Sequence, residues 1–147
     1  MAITIRPLTP ADRASWEPLW QGYLTFYKTS IPAEVTENSW RRFHVDGLPA
    51  YALGAFDGDR MVGFVHYIFH LSNWLLNPTC YLQDLFTSPE ARGKGVGRAL
   101  IEAVYDKARE AGSTRVYWLT QDTNLTAMQL YDKVATKAGF TQYRKDV

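Results

Sequence analysis

The stretch best equipped for chemistry is Arg92-Gly93-Lys94-Gly95-Val96-Gly97-Arg98. It lies between an expected strand, Cys80–Thr87, and an expected helix, Val96–Ala111. A glycine-dense loop at a helix N-terminus leaves backbone N–H groups free, and the helix dipole adds positive character there. Gly95 and Gly97 let the backbone approach an anion closely, while Arg92, Lys94 and Arg98 add charge. The stretch therefore reads as a pyrophosphate cradle. Taken alone, it reads equally as a glycine-rich connector with no ligand.

Two familiar phosphate loops do not fit. A Walker loop needs Ser or Thr after Gly-Lys and a glycine five residues upstream. Here Gly93-Lys94 is followed by Gly95, and Ser88 holds the upstream place. The dinucleotide pattern G-x-G-x-x-G fails because Gly97 arrives one residue early. A metal centre is also disfavoured: His66 and His70 share a strand face, but no carboxylate or cysteine is spaced to complete a ligand set.

The elements that must position the loop follow from periodicity and turn chemistry. Ile3–Leu8 alternates as a short strand. Thr9, Pro10 and Asp12 form a helix start, and Trp16, Leu19, Trp20, Tyr23, Leu24, Phe26 and Tyr27 continue it at mostly helical spacing. A second helix is expected over Ala33–Phe43. Tyr51–Phe56 and Met61–His70 form a hairpin through Asp57-Gly58. After the glycine loop come the helix Val96–Ala111, a strand Arg115–Thr120, a helix from Thr123 or Asn124 to Lys137, and a terminal strand Gly139–Tyr143. A strand, a long helix and a second strand imply a parallel pair. The fold class is mixed α/β, in the order β-α-α-β-β-β-α-β-α-β with helices on both faces of one sheet.

The chain has 147 residues, 46% of them hydrophobic and 21% charged, which suits a single domain with a substantial core. A net charge of +1 argues against nucleic acid or membrane as the main partner. One cysteine, Cys80, suits the cytoplasm, and the first residues lack the long apolar run of a secretory signal.

Arg92-x-x-Gly95-x-Gly97 after an aromatic strand resembles the coenzyme A loop of the GCN5-related N-acetyltransferases, the GNAT superfamily. Tyr81-Leu82-Gln83-Asp84-Leu85-Phe86 is similar to the corresponding strand of diamine and polyamine acetyltransferases. Trp118–Asn124, Leu130–Ala135 and Gly139-Phe140 resemble the histone/polyamine-type branch. The resemblance covers essentially the whole chain and implies that acetyl-CoA is the co-substrate, that a small-molecule primary amine is the acceptor, and that the protein is a homodimer. It places the pyrophosphate on Arg92, Gly93, Lys94, Gly95, Val96, Gly97 and Arg98. It places the pantetheine arm along Leu85, Phe86 and Thr87, as an added strand, with a backbone N–H near Leu85 facing the thioester oxygen.

Asn124 and Tyr131 are two helical turns apart and share a face. By resemblance Asn124 contacts the cofactor, and Tyr131 protonates the departing thiolate. A phenol near pKa 10 and a thiol near 8.5 suit that exchange. Gln83 and Asp84 are the candidate substrate-binding residues. The polyamine enzymes have Glu where this chain has Gln83, and an amide takes no proton at neutral pH. Asp84 is expected on the opposite sheet face. A water-mediated base, another carboxylate, or an amine arriving neutral all remain open. Two alternatives stand beside a small-amine enzyme: a protein lysine or N-terminal acetyltransferase, and a coenzyme A-binding module without turnover.

Overall fold

The computed structural model describes residues 2–147. Its elements are β1 (Ile3–Pro7), α1 (Arg13–Phe26), α2 (Ala33–Arg42), β2 (Ala50–Asp57), β3 (Arg60–His70), β4 (Thr79–Thr87), α3 (Val96–Glu110), β5 (Val116–Tyr117) and α4 (Leu125–Val134). Single 3-10 turns, Pro10–Asp12 and Pro89–Ala91, precede α1 and the glycine loop. The five strands lie in the order β1-β2-β3-β4-β5, with antiparallel pairing up to β4 and a parallel β4–β5 pair.

Each face of the sheet carries its own core. Trp16, Trp20 and Leu24 of α1 and Trp40 of α2 pack on Phe56, Phe64 and Phe86. On the other face Val96, Leu100, Ile101 and Val104 of α3 pack on Leu53, Val65 and Leu82. Fully burying each such aliphatic side chain contributes roughly 1.5–3 kcal/mol, so the two helix layers hold the sheet between them. Gly63 in β3 lets α3 sit this close. A Cβ there would lie 2.8 Å from the Phe86 carbonyl oxygen and 3.2 Å from Val96 Cγ1. The start of α3 is thereby pressed against the end of β4.

The entry to α1 is fixed by charge. Arg6 Nη1 and Nη2 donate to Asp12 Oδ2 and Oδ1 at 2.8 and 2.9 Å, and the Thr9 N–H donates to Oδ2 at 2.8 Å. The Arg6 hydrogen bonds, aided by Thr9, pull the Asp12 carboxyl down from 3.8 to about 2. Unfolded chains therefore take up this proton at higher pH than folded ones. The stabilisation is complete above pH 3.8 and is lost as pH falls through about 2. Asp12→Ala is expected to lower stability by about 1–2 kcal/mol at neutral pH. In urea titrations the gap from wild type should narrow steadily between the two values.

Three expected elements differ. The strand expected over Arg115–Thr120 pairs only at Val116 and Tyr117. Trp118 instead leaves the sheet edge and packs against Tyr105 and Tyr131, 6.5 and 5.4 Å away between ring centroids. The terminal strand expected over Gly139–Tyr143 does not form, and α4 stops at Val134 rather than Lys137. A strand needs a partner edge, and β5 offers two residues. Phe140 and Tyr143 are accordingly 85% and 96% exposed, with no apolar face to bury.

Candidate active site

The loop has the geometry its sequence suggests. Gly93 and Gly95 adopt φ of +76° and +82°, and Gly95 is the N-cap of α3 in the left-handed region. The first α3 carbonyl bond runs from the Ala99 N–H to the Gly95 oxygen at 3.0 Å. The N–H groups of Val96, Gly97 and Arg98 thus precede any intrahelical acceptor and point out of the helix end. Val96 can offer only its backbone, because its side chain is buried in the core. The cations stay near the loop but are engaged by protein. Arg92 Nε donates to the Thr87 carbonyl at 3.2 Å, Lys94 Nζ to the Glu90 carbonyl at 3.2 Å, and Arg98 Nε to Glu102 at 2.9 Å.

A register break sits one turn of sheet away. His66 pairs with Asp84, while its neighbour Tyr67 pairs with Leu82. Gln83 is therefore an extra residue in β4, a β-bulge. Because β5 pairs only with Cys80 and Tyr81, the edge of β4 from Leu82 to Thr87 has no strand beside it. Leu85 and Phe86 turn their side chains into the two cores, so at these two residues the edge offers only backbone groups. At its far end Thr87 meets the glycine loop. A Cβ on Gly97 would lie 3.9 Å from Thr87 Oγ1 and 3.6 Å from Leu130 Cδ2, the residue before Tyr131. Thr87, Gly97 and the Tyr131 region of α4 are thus gathered at one end of the opening.

Tyr131 is half-buried beside Trp118, and its hydroxyl has no hydrogen-bond partner among the described residues. Burial, with a smaller effect from Tyr27, pushes its phenol up to about 12. The near match between phenol and thiol expected from ordinary values does not hold here. The group is a hydroxyl that stays protonated, hence a hydrogen-bond donor first. Asn124 is the N-cap of α4, and its side chain makes no capping bond.

Gln83 is exposed at the bulge, while Asp84 is half-buried and turned toward α1. The Tyr23 O–H donates to Asp84 Oδ1 at 2.8 Å, and His66 Nδ1 lies 2.9 Å from Oδ2. Tyr27 and Tyr81 are also close. Burial raises both phenols, and the Asp84 charge raises them further. Tyr81 stacks on Tyr117 at 4.8 Å, and the Tyr117 hydroxyl is 2.7 Å from His70 Nε2. The sequence marks Asp84 as a site residue, offers the Trp16–Tyr27 helix as core or pocket wall and His66 only as an incomplete metal ligand, and assigns no role to Tyr81 or Tyr117. The available signal was Trp16 and Tyr23 at seven-residue spacing, one helix face, which reads as ordinary core.

A family model described as the Acetyltransferase (GNAT) family matches residues 14–135. The chain belongs to this family. D-amino-acid N-acetyltransferase HPA3 of Saccharomyces cerevisiae is 40% identical over 147 residues, covering 98% of this chain and 91% of the relative. Thialysine N-epsilon-acetyltransferase of Bos taurus is 35% identical, covering 88% and 81%. Among solved structures, AAC(6')-Iy in complex with the bisubstrate analogue CoA-S-monomethyl-acetylneamine superposes with a TM-score of 0.86 over 100% of this chain and 99% of that one. At 16% identity that likeness concerns the fold.

The chain is accordingly an acetyl-CoA-dependent acetyltransferase of the GNAT family.

Proposed function

We propose that this GNAT enzyme transfers the acetyl group of acetyl-CoA to a primary amine of a small molecule, of polyamine, amino acid or amino sugar type. The observation that carries this reading is the unpaired β4 edge. It runs from a loop with outward N–H groups at Thr87 to a carboxylate ringed by tyrosines at Asp84. The first end suits a pyrophosphate and the second an amine. The relatives named for D-amino acids and thialysine support a small amine acceptor.

The residue roles follow from position. The amides of Gly93–Arg98 hold the diphosphate, and the backbone of Leu85, Phe86 and Thr87 orients the extended arm as an added strand would. Bound acetyl-CoA supplies an activated acyl carbon and a thiolate leaving group. A backbone N–H near Leu85 donates where negative charge develops on the acyl oxygen. Tyr131 donates its hydroxyl proton in a hydrogen bond to the leaving sulfur, Asn124 contacts the cofactor, and Gln83 and Asp84 face the acceptor. Gln83 orients by hydrogen bonding and takes no proton. The acceptor reacts as the free amine, and the proton its nitrogen loses as the N–C bond forms and the C–S bond breaks passes through water to the leaving thiolate.

The test is release of free coenzyme A thiol across polyamines, amino acids of both hands, amino sugars and a basic peptide. Turnover with at least one small amine, and little with the peptide, is expected. Acetylation of the peptide alone, or no single turnover with any amine, would defeat the reading.

A further inference from the structure

A buried histidine beside an aspartate can be an imidazolium or a neutral N–H donor, and the partner of its other ring nitrogen decides which. At the bulge both ring nitrogens of His66 have a partner. Trp16 is fully buried, and its Nε1–H donates to His66 Nε2 at 3.0 Å. An indole nitrogen only donates, so Nε2 must accept and carries no proton. Nδ1 then holds the ring's single proton and donates it to Asp84 Oδ2 at 2.9 Å. The ring cannot gain a second proton without losing the indole bond in a site where both rings are nearly or fully inaccessible. Among the described residues Asp84 has no lysine or arginine partner, and its side chain keeps 14% exposure toward the opening. Tyr23, the remaining donor, is neutral, because burial and the Asp84 charge both raise its phenol.

We propose that Trp16 locks His66 as a neutral Nδ1–H donor so that Asp84 keeps an uncompensated negative charge, making Asp84 the residue that selects a cationic acceptor. Trp16 and His66 are positioning residues that act through Asp84. The surrounding rings of Tyr23, Tyr27 and Tyr81 add apolar walls and π faces suited to an alkylammonium group. The inference rests on the small-amine reading above for its biological use, but the charge arrangement itself does not depend on turnover.

Two measurements test it without an activity assay. Nitrogen-15 spectra of His66 at neutral pH should show a protonated Nδ1 and a bare Nε2. An imidazolium or the opposite tautomer would overturn the proposal. Calorimetry with 1,3-diaminopropane should show binding to the wild-type enzyme, with 1,3-propanediol as the uncharged control binding far more weakly. Asp84→Asn should weaken diamine binding about 10- to 100-fold, the range for a hydrogen bond to a charged group. Trp16→Phe removes the donor to Nε2, so the protonated-Nδ1, bare-Nε2 signature should be lost from the spectra and diamine affinity should fall although no cleft residue has changed. His66→Asn, whose amide can replace Nδ1–H, should retain most of the wild-type affinity. Equal binding of diamine and diol, or unchanged diamine affinity in Asp84→Asn, would overturn the assignment. Because both readouts are made without acetyl transfer, a failed amine screen and a failed charge lock give different patterns.

Discussion

Tyr131→Phe is expected to slow the acetyl-transfer step about 100-fold, with acetyl-CoA affinity within twofold of wild type. General acid help spans roughly 10²–10⁴-fold. The low end applies because burial holds this phenol at about 12, well above the thiol it assists. Such a donor stabilises the leaving sulfur chiefly by hydrogen bonding and releases its proton late. Packing should survive, since the ring beside Trp118 remains and only an oxygen without a protein partner is removed. Product release can mask the effect in steady-state kcat, so the rapid-quench single-turnover rate is the proper measurement. A wild-type rate there would make Tyr131 a packing residue.

Gly97→Val is expected to weaken acetyl-CoA binding about 100-fold, equivalent to losing two charge-assisted hydrogen bonds of roughly 1.4 kcal/mol each. The position separates binding from folding. A Cβ at Gly97 meets only ordinary contacts, 3.6 Å to Leu130 and 3.9 Å to Thr87, and its φ is not in the left-handed region. Gly95 would be a poorer choice, because φ of +82° strains any other residue. The valine branches would stand over the N–H groups at the start of α3. Calorimetry on a variant with an unchanged melting temperature checks this, and unchanged affinity would remove the diphosphate from the loop.

The order of elements up to α4 could be read from sequence because local signals agreed with one another. The Asp57-Gly58 turn joined two apolar runs, Gly93 and Gly95 bracketed the loop, and Val96, Leu100 and Val104 marked one helix face. The misread elements were those whose existence depends on a neighbour. Trp118–Thr120 has strand-like composition, yet Trp118 packs against Tyr105 and Tyr131 instead of continuing the pairing with β4. Gly139–Tyr143 has the aromatic composition of a strand, but Phe140 and Tyr143 are three residues apart and would face opposite sides, and β5 offers no edge of sufficient length. The bulge at Gln83 was invisible for a different reason. A bulge is a mismatch between two strands, and neither strand's own pattern records it. The Trp16–His66–Asp84 chain was hidden likewise, since its members lie 50 and 18 residues apart in sequence.

The extra residue in β4 has a consequence for how this fold can change. Leu82 and Leu85 face the α3 core, whereas Asp84 and Phe86 face α1, so Gln83 alone falls outside the alternation. A chain lacking that one position would keep every buried side chain of β4 on its present side. Its strand would run straight, and β5 could pair further along it. Greater regularity and a closed gap would arrive together. The regularity that would strengthen this sheet is thus the same regularity that would close it, and one unpaired residue holds the two apart.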